Sequence, residues 1–165
     1  IMTARPLGAS RIIAVDGDPF RLEAACAFGA TDVIDIGAVD DVAAALRRMS
    51  PDGLGVDVAI EAVGVPATFT TCLDAIRPGG VAANVGVHGK PVEFPIQRAW
   101  IDNITIRTGL VNATTTEDLL GLIAAHEIAP ERFATHHFKL AQIMDAYDVF
   151  AAAADHHALK VVLTA

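Results

Sequence analysis

An apolar run, Ile12 to Val15, ends in a carboxylate, Asp16, within the stretch RIIAVDGDPF. A carboxylate at the end of a buried strand can accept hydrogen bonds from neighbouring hydroxyls and repel a phosphate. It can equally open a turn, here with Gly17 and Asp18. The other residues that could do chemistry are six histidines and two cysteines. His136–His137 and His156–His157 are adjacent pairs, whose side chains diverge on a strand or a helix. His88 falls in a loop and His126 at a helix end, and none pairs with a cysteine or carboxylate at metal-ligand spacing. Cys26 and Cys72 form no C-x-x-C and no disulfide framework, so buried free thiols are expected. No residue is assigned as metal ligand, nucleophile or general base.

The elements that would position Asp16 alternate regularly. Strands are predicted at residues 11–16, 32–35, 56–62, 81–86 and 104–110, with a last one in LKVVLTA. Asp18 should cap a helix with Pro19 at its first position, Phe20, Leu22, Ala25 and Cys26 facing inward, and Gly29 as its stop. Further helices are predicted over DDVAAALRRMS, PATFTTCLDAIR (ended by PGG), RAWIDN, TTEDLLGLIAAHEI and AQIMDAYDVFAAAAD, while ERFATHHFKL is expected to be irregular. Apolar strands alternating with helices predict an α/β doubly wound parallel sheet covered on both faces. Ligands bind such sheets at the carboxyl ends of the strands, which is where Asp16 lies.

The 165 residues suffice for one domain, and 53% are hydrophobic. No apolar run approaches the ~18 residues of a membrane span. A net charge of −8 argues against a nucleic-acid partner, which would require clustered Lys and Arg. The thiols suit a cytoplasmic, reducing compartment.

In a dinucleotide-binding fold, an acid closing the second strand holds the adenosine ribose hydroxyls and disfavours a 2′-phosphate. The glycine-rich turn, G-x-G-x-x-G, should lie about 20 residues earlier, before Ile1. The expectation is therefore a Rossmann-type fold lacking its first strand and that turn. In the order 3-2-1-4-5-6 this would open a gap at the middle of the sheet.

Four stretches carry a family resemblance: IIAVDGDPFRLEAACAFGATDVID, VDVAIEAVG, PGGVAANVGVHGKPVEFP and ALKVVLTA. Over its whole length the chain resembles the coenzyme-binding, C-terminal part of a zinc-dependent medium-chain alcohol dehydrogenase. The resemblance implies a partial dinucleotide-binding domain over residues 1–165, with residues 155–165 leading back toward a catalytic domain. That domain would hold the zinc and belong to an intact parent, leaving this chain alone inactive.

The same resemblance implies that Asp16 binds the ribose of NAD and that Arg21 lies beside the adenosine. Ala62, Val63 and Gly64 would pass under the cofactor. Val85, Gly86 and Val87 would meet the nicotinamide, with backbone groups bonding its carboxamide. Leu110 and Val111 match a sheet-edge stretch where subunits pair and carboxamide contacts are made. Lys160 stands where the family has a pyrophosphate-binding arginine, keeping the charge without the planar fork. Each position also has a plainer reading as a turn, a strand end or a solvated charge.

The implied reaction is hydride transfer between an alcohol and NAD in a homodimer or homotetramer. NVGVHG resembles bacterial secondary-alcohol enzymes. Competing readings are a zinc-free NADPH quinone reductase, against which Asp16 argues, a methyltransferase, for which one closing strand is too few, and a non-catalytic nucleotide-binding fragment.

Overall fold

The computed structural model describes residues 1–110 and 113–165. The chain divides into two compact units, residues 1–38 with 114–165 and residues 39–113.

In the first unit, β1 (Ile13–Asp16) pairs in parallel with β2 (Asp32–Asp35), aligning Asp16 with Asp35. Helix α1 (Pro19–Ala27) joins them. Asp18 caps it by accepting from the Phe20 amide, and Pro19 sits in the first turn, where its missing N–H costs nothing. The helix buries Leu22 and Ala25, but Cys26 is exposed, so the expected burial of that thiol is corrected. With only two buried positions, Leu22 and Ala25, the inward stripe is too narrow to reach Cys26.

The same unit holds α5 (Thr116–Ala124), α6 (Ile143–Ala151) and a second parallel pair, β6 (Ala134–Lys139) with β7 (Lys160–Thr164). The segment ERFATHHFKL, expected to be irregular, thus contains a strand. Its side chains alternate half-buried and exposed, with Ala134, His136 and Phe138 on the covered face.

In the second unit the strand order is β3-β4-β5, all parallel. β3 is Val56–Glu61, β4 Ile76–Asn84 and β5 Thr105–Thr108. Helices α2 (Val42–Met49), α3 (Pro66–Ala75) and the short α4 (Ile96–Ala99) complete it. Phe69 and Leu73 of α3 pack with Ile76 and Ala82 of β4 as its core.

Helix α3 ends at Ala75, earlier than predicted. Ile76 is already extended, at φ −74° and ψ 147°, and Arg77, which precedes Pro78, is held out of the helical region, so the helix cannot resume. Val58 and Ile60 of β3 are exposed, so that face of the strand is open rather than covered.

Among the described residues the strands form three separate parallel sheets, not one. β1 pairs only with β2, and β3 only with β4. No described helix is long and apolar enough to cross a membrane.

Candidate functional site

At the carboxyl end of β1, Asp16 is a turn residue first. Its Oδ1 accepts from the amides of Gly17 at 2.8 Å and Asp18 at 3.0 Å. Its Oδ2 is left for other partners, with the Arg21 guanidinium at 3.9 Å. Arg21 also lies 3.6 Å from Asp18, so this cation is drawn back over its own turn. Asp18 Oδ2 is buried without a hydrogen-bond partner among the described residues. Asp35, beside Asp16 in the ladder, turns its Oδ1 to the Gly37 amide. Three carboxylates and one guanidinium therefore crowd this strand end, and the local balance is negative.

Lys160, in the same unit, opens β7 and is exposed. A concavity of that unit, about 510 Å³, lies elsewhere. Phe28, His126 and Arg132 line it, and Arg132 stands 5.0 Å over the Phe28 ring. None of the sequence-predicted site residues is in it.

The second unit brings two predicted segments together at the carboxyl ends of β3 and β4. Glu61 and Asn84, the last residues of the two strands, are ladder partners. The Glu61 carbonyl then accepts from both the Val85 amide, at 2.8 Å, and the Gly86 amide, at 3.1 Å. What Val85 can offer a ligand is thus its carbonyl, because its N–H is spent.

Gly64 and Gly86 meet face to face. A Cβ on Gly86 would come within 2.8 Å of the Gly64 Cα, and one on Gly64 within 2.8 Å of the Val87 carbonyl carbon. Gly64 also has φ +88°, a region that side chains avoid. Around this seam Ala62, Val63, Val85 and Val87 are exposed, at 68%, 53% and 87% for the three valines. Leu110, two residues beyond β5, is 91% exposed. Val111 lies outside the described residues.

Sequence reasoning overlooked Glu61. This carboxylate is 2% exposed, the largest fully buried side chain. Its Oε1 accepts from Val63 N–H at 2.9 Å, Gly64 N–H at 2.8 Å and the Thr68 hydroxyl at 2.6 Å. Burial pushes the carboxyl up, but these donors, with His88 nearby, outweigh it and hold the group below the usual carboxylate range. Its Oε2 faces His88 Nε2 at 3.3 Å. The signal was available, since VDVAIE ends an apolar strand in an acid just as IAVD does.

Burial, aided by the Glu61 charge, pushes the Cys72 thiol up to about 11. Among the described residues, no three His, Cys, Asp or Glu side chains gather as a metal site.

Residues 1–125 match the family described as zinc-binding dehydrogenase. The chain belongs to that family. An alcohol dehydrogenase of Cupriavidus necator is 34% identical to this chain over 152 residues, spanning 90% of the chain and 41% of the relative. The NADP-dependent isopropanol dehydrogenase of Thermoanaerobacter brockii is 33% identical, over 82% of the chain and 40% of its own length. Among solved structures, zinc dependent alcohol dehydrogenase 2 from Streptococcus pneumonia, in its apo form, superposes with a TM-score of 0.92 at 48% identity. That match covers 98% of this chain and 46% of the other. The chain thus spans less than half the length of these relatives, and its fold is the Rossmann-type α/β fold of its structural neighbours.

Proposed function

We propose that this chain is the NAD-binding part of an oxidoreductase that transfers a hydride between an alcohol, secondary by the resemblance of NVGVHG, and NAD. The observation that carries the choice of cofactor is Asp16, which ends β1 with Oδ2 free of hydrogen bonds. That oxygen accepts from the ribose hydroxyls. Asp18 and Asp35 add negative charge, so a 2′-phosphate meets repulsion in this unit. Kinship with an NADP-dependent relative makes this a choice within the family, and the acid is what supports NAD here.

In the second unit Val63, Val85 and Val87 flank the nicotinamide, and the backbone at 85–87 orients its carboxamide. When bound, NAD supplies the hydride-accepting ring. The chain's own residues bind and orient it. Lys160 adds a cation toward the pyrophosphate, and Arg21 lies beside the adenosine.

The outer edge of β5 has no strand partner among the described residues, which supports pairing of two subunits there. Titration of the purified protein with NADH and with NADPH, followed by nicotinamide fluorescence, tests the reading. Tighter binding of NADH is expected. Tighter binding of NADPH would favour the quinone reductase reading, and binding of neither would leave a fragment without coenzyme function.

A further inference from the structure

We propose that Glu61 is a positioning residue that holds the two nicotinamide-side segments, residues 62–64 and 85–88, in register. This rests on the coenzyme reading above and adds to it residues that the reading did not use.

Asn84 donates its Nδ2 to the Gly86 carbonyl at 3.0 Å, which turns its Oδ1 toward His88. His88 Nε2 lies 2.8 Å from that oxygen, so Nε2 must carry the proton. The same nitrogen lies 3.3 Å from Glu61 Oε2, a charge contact rather than a hydrogen bond, since that buried oxygen has no hydrogen-bond partner among the described residues. The other carboxylate oxygen takes the Val63 and Gly64 amides and the Thr68 hydroxyl. One buried charge thus ties the loop after β3 to α3 through Thr68 and, through His88 and Asn84, to the loop after β4. The Gly64–Gly86 seam closes between them.

Glutamine cannot replace this group. It has one acceptor oxygen and one donor nitrogen. If the oxygen keeps the three donors, the nitrogen confronts the His88 N–H. If it turns the other way, the nitrogen confronts two amides and a hydroxyl. Buried groups facing like groups are costly, and the loops must part to relieve them.

The test compares NADH with ADP-ribose, which lacks the nicotinamide, on the purified protein. Wild-type protein that binds neither ligand refutes the coenzyme reading, and this inference falls with it. Where both bind, Glu61→Gln should weaken NADH about tenfold, the worth of one charge-assisted hydrogen bond, and leave ADP-ribose within about twofold. Bound nicotinamide emission should also move toward that of free NADH. Equal losses for the two ligands, or an unchanged NADH affinity, would overturn the proposal.

Should Glu61→Gln fail to fold, His88 keeps the question open. His88→Leu should produce the same selective loss of NADH. His88→Gln, whose amide can donate where Nε2 does, should restore it. Leucine and glutamine variants that bind NADH alike would refute the role.

Discussion

Gly64→Ala puts the seam between the β3 and β4 loops under direct strain. Two costs can be worked out separately. The backbone at Gly64 has φ +88°, and an L side chain there costs about 1–2 kcal/mol. The added Cβ would also lie 2.8 Å from the carbonyl carbon and 2.9 Å from the amide nitrogen of Val87. Both are backbone atoms, so relief requires moving a loop rather than rotating a side chain, at roughly 1–3 kcal/mol. Moving it strains the Gly64 amide bond to Glu61, so the two costs add, giving about 2–5 kcal/mol. The assay is urea unfolding followed by the fluorescence of Trp100, the sole tryptophan, which lies in the same unit. With a slope of about 2 kcal/mol per molar, the midpoint should fall by roughly 1–2.5 M. Gly89→Ala is the control. It has no atom within 4 Å of a new Cβ and no positive φ, so it should stay within about 0.5 kcal/mol. A Gly64→Ala midpoint no lower than that of Gly89→Ala would refute the reasoning.

Three further expectations follow from the ionisable groups and the sheet edge. Arg11 forks onto Asp32 at 2.7 Å through two nitrogens and, with the Thr31 hydroxyl, lowers that carboxyl to about 2. A depressed carboxylate stabilises the fold above its unfolded pKa, near 4, and that contribution is lost as pH falls through about 2. Asp32→Asn should therefore show a shallower loss of stability between about pH 4 and pH 2 than wild type; identical slopes in acid titrations of the melting midpoint would contradict it. At pH 8, iodoacetamide should modify exposed Cys26 well before Cys72, whose thiol is pushed up to about 11, as mass spectrometry of digested peptides would show. Ile106→Pro, in β5, should reduce any oligomer to monomer in sedimentation, because proline breaks the ladder at that edge; an unchanged sedimentation coefficient would count against pairing there.

Much of this was legible in the residues, for reasons that can be named. Asp18, Pro19 and Gly29 gave the start and stop of α1 because caps act locally. The β-branched runs of β1 and β3 gave parallel strands because few other arrangements bury them. The misreadings have causes too. In β6 the pair His136–His137 masked a strand whose Thr and Phe follow the alternation. At the end of α3 the glycines of PGG suggest the stop, whereas the helix closes at Ala75 and Pro78 keeps Arg77 extended. Cys26 was judged from hydrophobicity alone, which does not say how wide a buried stripe is. Glu61 went unnoticed because one charge inside an apolar strand reads as noise until its three donors are seen together. The open face at Val58 and Ile60 depends on which strands pair, and no local pattern encodes that.

The central claim, that this chain selects NAD through Asp16, is tested most directly by Asp16→Asn. An asparagine keeps the oxygen that accepts from the Gly17 and Asp18 amides, so the turn survives. It replaces Oδ2 with a donor and removes the charge. The measurement is the pair of dissociation constants for NADH and NADPH before and after the change. NADH should weaken about tenfold, ~1.4 kcal/mol, through loss of a charge-assisted hydrogen bond. NADPH should tighten, because the repulsion on its 2′-phosphate is gone. Opposite signs cannot come from general destabilisation. If both constants rise together, or neither moves, Asp16 is a turn residue only and the claim fails.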